Sequence, residues 1–396
     1  KGVMLSHDNM TWDVRTFLKN VEEKNNYVMG NEQVLISYLP LSHIAAQMLD
    51  FMVACATGGS IYFATPDALK GGLLPLLQQI RPTFLFGVPR VWEKIMDGMK
   101  AKGANNSFVK RKIVDMAKWV ALNRNRALAN SAGNYEWPAT TFGLHGVFNK
   151  LVYSKVKKVL GLDRCRLFGS GAAPISEKVL SYFWSLDIPV VEGFGMSETT
   201  GISTMCVFPQ KVRLGTVGFG ICDNMIKISD ENEILLRGRH IMMGYLNNEE
   251  KTREAFDEQG YLKTGDMGSL QPSPDGKVDL LTITGRIKEL VITAGGENVA
   301  PVPIEDKIKY GCPLISNVML IGDNRKFLSV LVTLRVVINT DTLIPSKDID
   351  PACKQILSKE GIKSMNVDEV SKEENVIQLI QVAIDSYNKF AVSNAQ

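Results

Sequence analysis

A few short segments carry residues whose type and spacing suit chemistry on a phosphorylated ligand. The run Glu192-Gly193-Phe194-Gly195-Met196-Ser197-Glu198-Thr199-Thr200 follows an apolar stretch. It sets an aromatic ring between two glycines and a carboxylate among hydroxyls. Phe194 so placed offers a stacking surface for a base, and Glu198 suits a divalent metal held through oxygen. A helix N-terminus capped by Ser197, with Glu198 on the dipole, fits the same residues. Gly169-Ser170-Gly171-Ala172-Ala173-Pro174 lies between an expected strand and an expected helix. Small residues there let backbone N–H groups approach a ligand, or simply make a tight turn. In Thr264-Gly265-Asp266 the carboxylate could accept both hydroxyls of a ribose, or close an Asx-turn. Arg286, two residues before Lys288-Glu289, could bridge ribose or phosphate, or sit in an ordinary surface ion pair. His43 is one of 4 histidines and follows Pro40-Leu41-Ser42. It reads as a polar group over an acyl or phosphate position, or as a satisfied structural histidine, the weightier reading in isolation. The lysines at 150, 155, 157 and 158 could meet phosphate head groups, but a wet helix face is the simpler reading.

Such loops need strands to hold them. Residues 34–39 read as a short buried strand, 44–57 as a buried helix ended by Gly58-Gly59, and 60–64 as the next strand. A helix at 73–80 and a strand at 83–88 follow. This alternation predicts a parallel sheet with crossover helices. Helix is expected over 91–128 and 147–160, the latter with Leu151, Val152, Val156 and Val159 as its apolar side. The polar, Gly-containing stretch 129–146 reads as a loop. Strand signals return at 165–168 and 188–192, around a helix whose inner face would be Val179, Leu180, Phe183 and Trp184. After about residue 210, short apolar runs punctuated by Gly and Asp predict a β-rich subdomain. Another change near 286–290 opens a smaller α/β domain. It has helices expected at 303–310, 351–358 and 374–389 and strands at 317–322 and 327–334.

The composition sets outer bounds. The 396 residues suggest about two or three domains. Hydrophobic residues make up 45% and charged residues 22%, a globular composition. A net charge of +3 gives no case for a nucleic-acid binder. The 6 cysteines, at 55, 165, 206, 222, 312 and 353, form no CxxC pair, which argues against a zinc knuckle or dithiol site and fits a reducing compartment. No stretch of about 18 uncharged apolar residues is present. The opening KGVMLSH and the closing YNKFAVSNAQ both read as cut ends.

Taken in order, these pieces resemble the adenylate-forming acyl-CoA synthetase superfamily. The opening Lys1-Gly2-Val3-Met4-Leu5-Ser6-His7 resembles the tail of its phosphate loop, Thr/Ser-Gly-Thr-Thr-Gly-x-Pro-Lys-Gly. GSGAAP at 169–174 resembles its second glycine-rich element and GFGMSETT at 193–200 its adenine and magnesium element. TGD at 264–266 resembles its ribose element, and GRIKELVITAGGENVAP at 285–301 its hinge. FGVPRVWEKI at 86–95 and ITAGGENVAPVPIE at 292–305 narrow the resemblance to long-chain and very-long-chain fatty acyl-CoA synthetases, nearest the bubblegum-type branch.

The resemblance implies an α/β adenylate-forming fold: a large domain over 1–285 with parallel sheets and a β-rich subdomain, a hinge at 286–290, and a small mobile domain over 291–396. It implies fatty acid–CoA ligase activity through an acyl-AMP intermediate, with ATP, Mg²⁺ and coenzyme A. Its implied partners are a long-chain fatty acid and CoA, with no nucleic acid. A cytoplasmic location with peripheral contact to the endoplasmic reticulum or another membrane is a further expectation. By implication Lys1 and Gly2 end the triphosphate loop, and His43 lies near the fatty carboxylate and α-phosphate. Gly171, Ala172 and Ala173 would line the acyl and adenine slot. Phe194, followed by Gly195, would stack adenine where the family usually has Tyr. Thr199 would contact phosphate, Glu198 would hold Mg²⁺, Asp266 would bind the ribose with Arg286 assisting, and Lys288 would sit at the hinge. Gly295-Gly296-Glu297 would serve the CoA half-reaction, and Gln47 falls near an aromatic gate of some bacterial relatives. The glycine-rich part of the phosphate loop and the family's late catalytic Lys have no counterpart here, so these 396 residues alone are expected to make little acyl-AMP. Other adenylating enzymes, or a nucleotide-binding relative without turnover, are the rival readings.

Overall fold

Ser176 shows how local chemistry starts an element in this chain. Its extended backbone lets the side chain accept from the Val179 N–H at 3.3 Å, and Glu177 in the first turn favours the dipole. The helix Glu177–Trp184 then buries Val179, Leu180, Phe183 and Trp184, the inner face expected from the sequence. In the computed structural model, described for residues 1–25, 27–65, 68, 71–104, 106–130, 139–209, 212–221, 225–338, 345–389 and 391, the chain forms two compact units. The first comprises residues 1–264 and 268–283, the second 265–267 and 284–396.

The first unit is built on a five-stranded sheet. Phe84–Gly87, Leu167–Ser170 and Val191–Phe194 run parallel, and Thr204–Met205 and Phe219–Gly220 continue the sheet antiparallel. A second parallel pair joins Val34–Ser37 to Ser60–Phe63. The crossover helices cover one core in which Leu77, Trp92, Phe183 and Ile188 are fully buried. The expected parallel sheet is thus present but mixed at one edge. Its strands at 167–170 and 191–194 lie two to three residues later than the apolar runs suggested, because the glycines after those runs still keep ladder hydrogen bonds. A further sheet carries Asp279–Arg286, Leu262–Pro272, Glu233–Arg237 and Met225–Ile228 in that order, the expected β-rich part.

Several expectations need correction. A long helix, His7–Asn25, follows the opening run, where the sequence reading placed no element. Ser6 and Asn9 start it: the Asn9 N–H donates to Ser6 Oγ at 3.0 Å and the Ser6 N–H to Asn9 Oδ1 at 2.8 Å. The expected loop at 129–146 is helical over Ala139–Phe148, and its residues 131–138 lie outside the described ones, as does Cys222. Helix continues through Asn149–Tyr153 to Leu160; of the four apolar residues named there Val152 and Val156 join the core while Leu151 and Val159 are exposed, and Tyr153 and Leu160 are buried as well. Nor are the neighbouring lysines uniformly a wet face. Lys157 Nζ lies 2.8 Å from the half-buried Asp187, whose carboxyl also meets His145 at 3.2 Å. Burial alone would raise the Asp187 pKa; the His145 hydrogen bond and the Lys157 charge outweigh it and hold the group at about 2.

The second unit has its own core of Ile304, Ile308, Ile315, Leu357 and Val376, among others. The helices Pro301–Gly311 and Glu374–Asn388 and the hairpin Ile315–Ile321 with Ser329–Leu334 match the expected elements. The strand pair Val336–Ile338 with Pro345–Ile349 and the short helix Val367–Val370 were not anticipated. Among the described residues, no helix is long and apolar enough to cross a membrane.

Candidate functional site

Adjacent parallel strands send their following loops out at one sheet edge. Gly169 pairs with Val191 and Ser170 with Glu192, so the loops at 171–174 and 195–200 emerge side by side. The glycines are needed for this closeness: a Cβ on Gly171 would lie 2.9 Å from the Gly193 carbonyl oxygen, and one on Gly195 1.6 Å from that of Gly201. Ala172 holds φ +69, a left-handed conformation that costs a residue bearing a Cβ. Ala173 is its exposed neighbour in the turn.

The second loop is fastened from within. Thr199 is fully buried, and its Oγ accepts from the Met196 N–H at 3.0 Å. Thr200 Oγ donates to the His240 carbonyl at 2.6 Å. Glu198 is left half-buried at the loop's rim, where the Tyr245 hydroxyl donates to its Oε1 at 2.8 Å. Burial, then the hydrogen bond to Glu198 and its charge, push the Tyr245 hydroxyl up to about 12. Lys1 Nζ sits 4.6 Å from the centre of the same ring. That placement follows from the antiparallel pairing of Val3–Met4 with Gly244–Tyr245. Lys1 and Glu198, almost two hundred positions apart, therefore meet around Tyr245. Sequence reasoning did not single out Tyr245; an aromatic residue after a glycine is too common to signal it.

His43 and both glycine loops line one apolar cavity of about 980 Å³, counting its open mouth. Phe17, Val21, Met48, Leu49, Phe84 and Phe86 supply much of its wall. His43 Nδ1 accepts from the Ala45 N–H at 3.2 Å, so the neutral ring carries its proton on Nε2. Gln47 instead donates to the Leu41 carbonyl at 2.7 Å. Phe194 borders the cavity but packs mostly among Val217, Ile234, Leu236 and Leu281, at 8% exposure. Its ring is therefore mainly a core residue, with an edge toward the cavity.

Glu192 and Ser170 are buried polar residues in this largely apolar wall. Burial pushes the Glu192 carboxyl up to about 8, partly opposed by a backbone hydrogen bond from Ile175. A carboxyl raised on folding adds stability below its unfolded pKa near 4.5 and loses it as pH climbs through about 8. Glu192→Gln keeps the shape and cannot ionise. Wild type should lose about 3–4 kcal/mol between pH 5 and 8 from this group while E192Q does not. Denaturant melts at the two pH values measure it, and parallel pH trends in both proteins would rule out a neutral buried carboxyl.

In the second unit Asp266 is buried, and Arg286 Nε donates to its Oδ1 at 2.8 Å. Arg286 also lies 3.8 Å from Glu289. Lys288 is exposed in the single turn Ile287–Glu289. Gly295 and Gly296 turn the chain between the paired strands Val291–Ile292 and Asn298–Val299, with Gly296 at φ +80. Among the described residues, no cluster of three or more His, Cys, Asp or Glu could hold a metal ion. A single carboxylate such as Glu198 still suits Mg²⁺, which keeps its waters and binds through one or two carboxylates plus phosphate oxygens.

A family described as AMP-binding enzyme matches residues 1–246, and its C-terminal domain family matches 288–356. The whole chain is 47% identical to the chicken (Gallus gallus) long-chain-fatty-acid–CoA ligase ACSBG2, covering 51% of that protein. It is 40% identical to the human (Homo sapiens) protein of the same name, covering 58% of it. The chain thus spans about half the length of the curated relatives it matches. Among solved structures, the o-succinylbenzoate CoA synthetase of Bacillus subtilis in complex with its acyl-adenylate superposes with a TM-score of 0.60 at 17% identity, over 88% of this chain and 62% of that one. ATP-bound MatB from Rhodopseudomonas palustris gives 0.56 at 24% identity, over 93% and 60%. These likenesses bear out the expected fold and the resemblance to bubblegum-type ligases.

Proposed function

The chain belongs to the AMP-binding enzyme family, and from that premise we propose that it is the nucleotide- and acyl-binding part of a long-chain fatty acid–CoA ligase. One observation carries the reading: two glycine loops and His43 border a single, largely apolar cavity. Phosphate-type loops beside apolar space suit a ligand with an activated carboxyl head and a long tail. Each CH₂ buried there contributes about 0.8 kcal/mol.

In this reading an oxygen of the fatty carboxylate attacks the α-phosphorus of ATP, and pyrophosphate leaves. The sulfur of CoA then attacks the acyl carbonyl, and AMP leaves as the thioester forms. His43 Nε2–H would face the carboxylate and α-phosphate, and Lys1 the triphosphate. Gly171, Ala172 and Ala173 would border adenine, with Phe194 and Gly195 opposite and Thr199 shaping the phosphate side. Tyr245 holds one Glu198 oxygen and leaves the other for Mg²⁺, which would offset phosphate charge. Asp266 would take the ribose hydroxyls with Arg286 beside it. A hinge at 286–290 including Lys288 is supported by the unit boundary after Ile283, and the turn at Gly295-Gly296-Glu297 would serve the CoA step. A tail-bearing substrate partitions into bilayers, so peripheral membrane contact belongs to this reading.

Palmitate should displace an apolar dye from the 396-residue chain, and butyrate at the same concentration should not. A protein extended to the relatives' length should release pyrophosphate from ATP only when a long-chain acid is present. Binding of ATP and palmitate without release would favour a non-catalytic relative, and absence of palmitate binding would refute the acyl role of the cavity.

A further inference from the structure

Between residues 108 and 160 the chain carries ten Lys and Arg against only Asp115 and Glu136, although the whole protein has a net charge of just +3. The same segment also holds a run of exposed apolar side chains. On the helix Phe108–Asn130, Ala117, Val120, Ala121 and Asn125 face inward. Phe108, Val109, Ile113, Met116 and Trp119 stand in solvent, Phe108 at 66% and Trp119 at 65% exposure. The helical run 139–160 packs Phe148, Val152 and Tyr153 against Ala117, Val120 and Ala121. It leaves Leu144, Val147 and Leu151 exposed on the side away from that contact. Lys110, Arg111 and Lys112 flank the first stripe, and Lys150, Lys155 and Lys158 the second; all six are exposed, and none is in an ion pair among the described residues.

A helix face with bulky apolar side chains, a tryptophan and flanking cations suits the boundary between lipid head groups and acyl chains. The apolar side chains enter the acyl region, while the long stems of Lys and Arg reach back to the phosphates. A protein partner matched to this face would need a comparably acidic rim around an apolar patch, whereas an anionic leaflet offers both layers everywhere. We infer that the outer face of the helices 108–130 and 139–160 docks in the plane of an anionic lipid surface. This rests on the membrane contact in the reading above and names the surface that makes it.

The test is cosedimentation of the 396-residue chain with vesicles of phosphatidylcholine, with and without phosphatidylserine. Wild type should bind the anionic vesicles and be released by salt. Each basic residue at such a surface raises partitioning about fivefold, so K110E/R111E/K112E should lower it about 10²-fold or more. M116S/W119S should lower it about tenfold without changing the thermal midpoint, since both side chains are exposed. K326E/K359E, exposed in the other unit, should leave it within about twofold. No binding by wild type would overturn the membrane contact itself. Binding that survives the 110–112 or 116/119 changes, or falls equally in K326E/K359E, would overturn this surface. A dimer that M116S/W119S converts to monomer without lipid would assign the face to a second copy instead.

Discussion

Replacing Glu198 by Gln is expected to lower ATP–pyrophosphate exchange by about 10²–10³-fold, in a protein extended to the relatives' length, while palmitate binding stays intact. The substitution is selective for a physical reason. The Tyr245 hydroxyl donates to Glu198 Oε1, and a Gln amide oxygen accepts the same bond, so the loop keeps its fastening. The Met242 N–H donates to the Glu198 backbone carbonyl at 2.8 Å and is untouched. What disappears is the negative charge that would hold Mg²⁺ beside phosphate oxygens. Tyr245→Phe makes the converse change, keeping the charge and freeing the side chain to rotate, so its loss should be smaller. Equal exchange rates in wild type and E198Q would remove the metal role and leave Glu198 as a loop residue.

Asp266→Ala should raise the KM for ATP or lower turnover by an amount equivalent to about 2–5 kcal/mol, the scale of losing one partner of a buried charge-assisted bond in a complex. The carboxylate is buried, while Arg286, its partner at 2.8 Å, has a side chain 59% exposed. Arg286 can therefore turn to water when the carboxylate goes, and folding stability should change little. The loss should instead appear when a ribose finds no acceptor. Asp266→Asn tests the charge alone, since it keeps one acceptor oxygen. If ATP dependence is normal in D266A, the residue merely shapes the strand and its Gly265 turn.

Both expectations begin from residues visible in the sequence, and Arg286, the partner of Asp266, is visible there too, but the partner of Glu198 is not. Nothing in the spacing of Glu198 pointed to Tyr245; only the antiparallel pairing of 3–4 with 244–245 brings that ring, and Lys1 with it, to the loop. The helix Glu177–Trp184 was legible because its cap, first-turn acid and apolar face all lie within nine residues. The helix at Ala139–Phe148 was not, because Gly143 and Gly146 weaken its propensity and its hold comes from packing on a distant helix. The core position of Phe194 does not show in its run between glycines for a similar reason: the residues that bury it, Val217, Ile234, Leu236 and Leu281, lie far along the chain.

The sequence by itself determined the order of the ligand-type loops, the alternation of helix and strand, and the family. Those properties are written in short runs where glycine, cap and apolar periodicity act on their immediate neighbours. The tertiary structure decided which polar groups are taken out of water and what they face. It places Glu192 opposite Ser170 in an apolar wall, sets Lys157 and His145 on Asp187, and leaves Trp119 in solvent. Burial and charge pairing depend on the distance between atoms that the chain separates by tens or hundreds of residues, and the local pattern of a segment does not encode that distance.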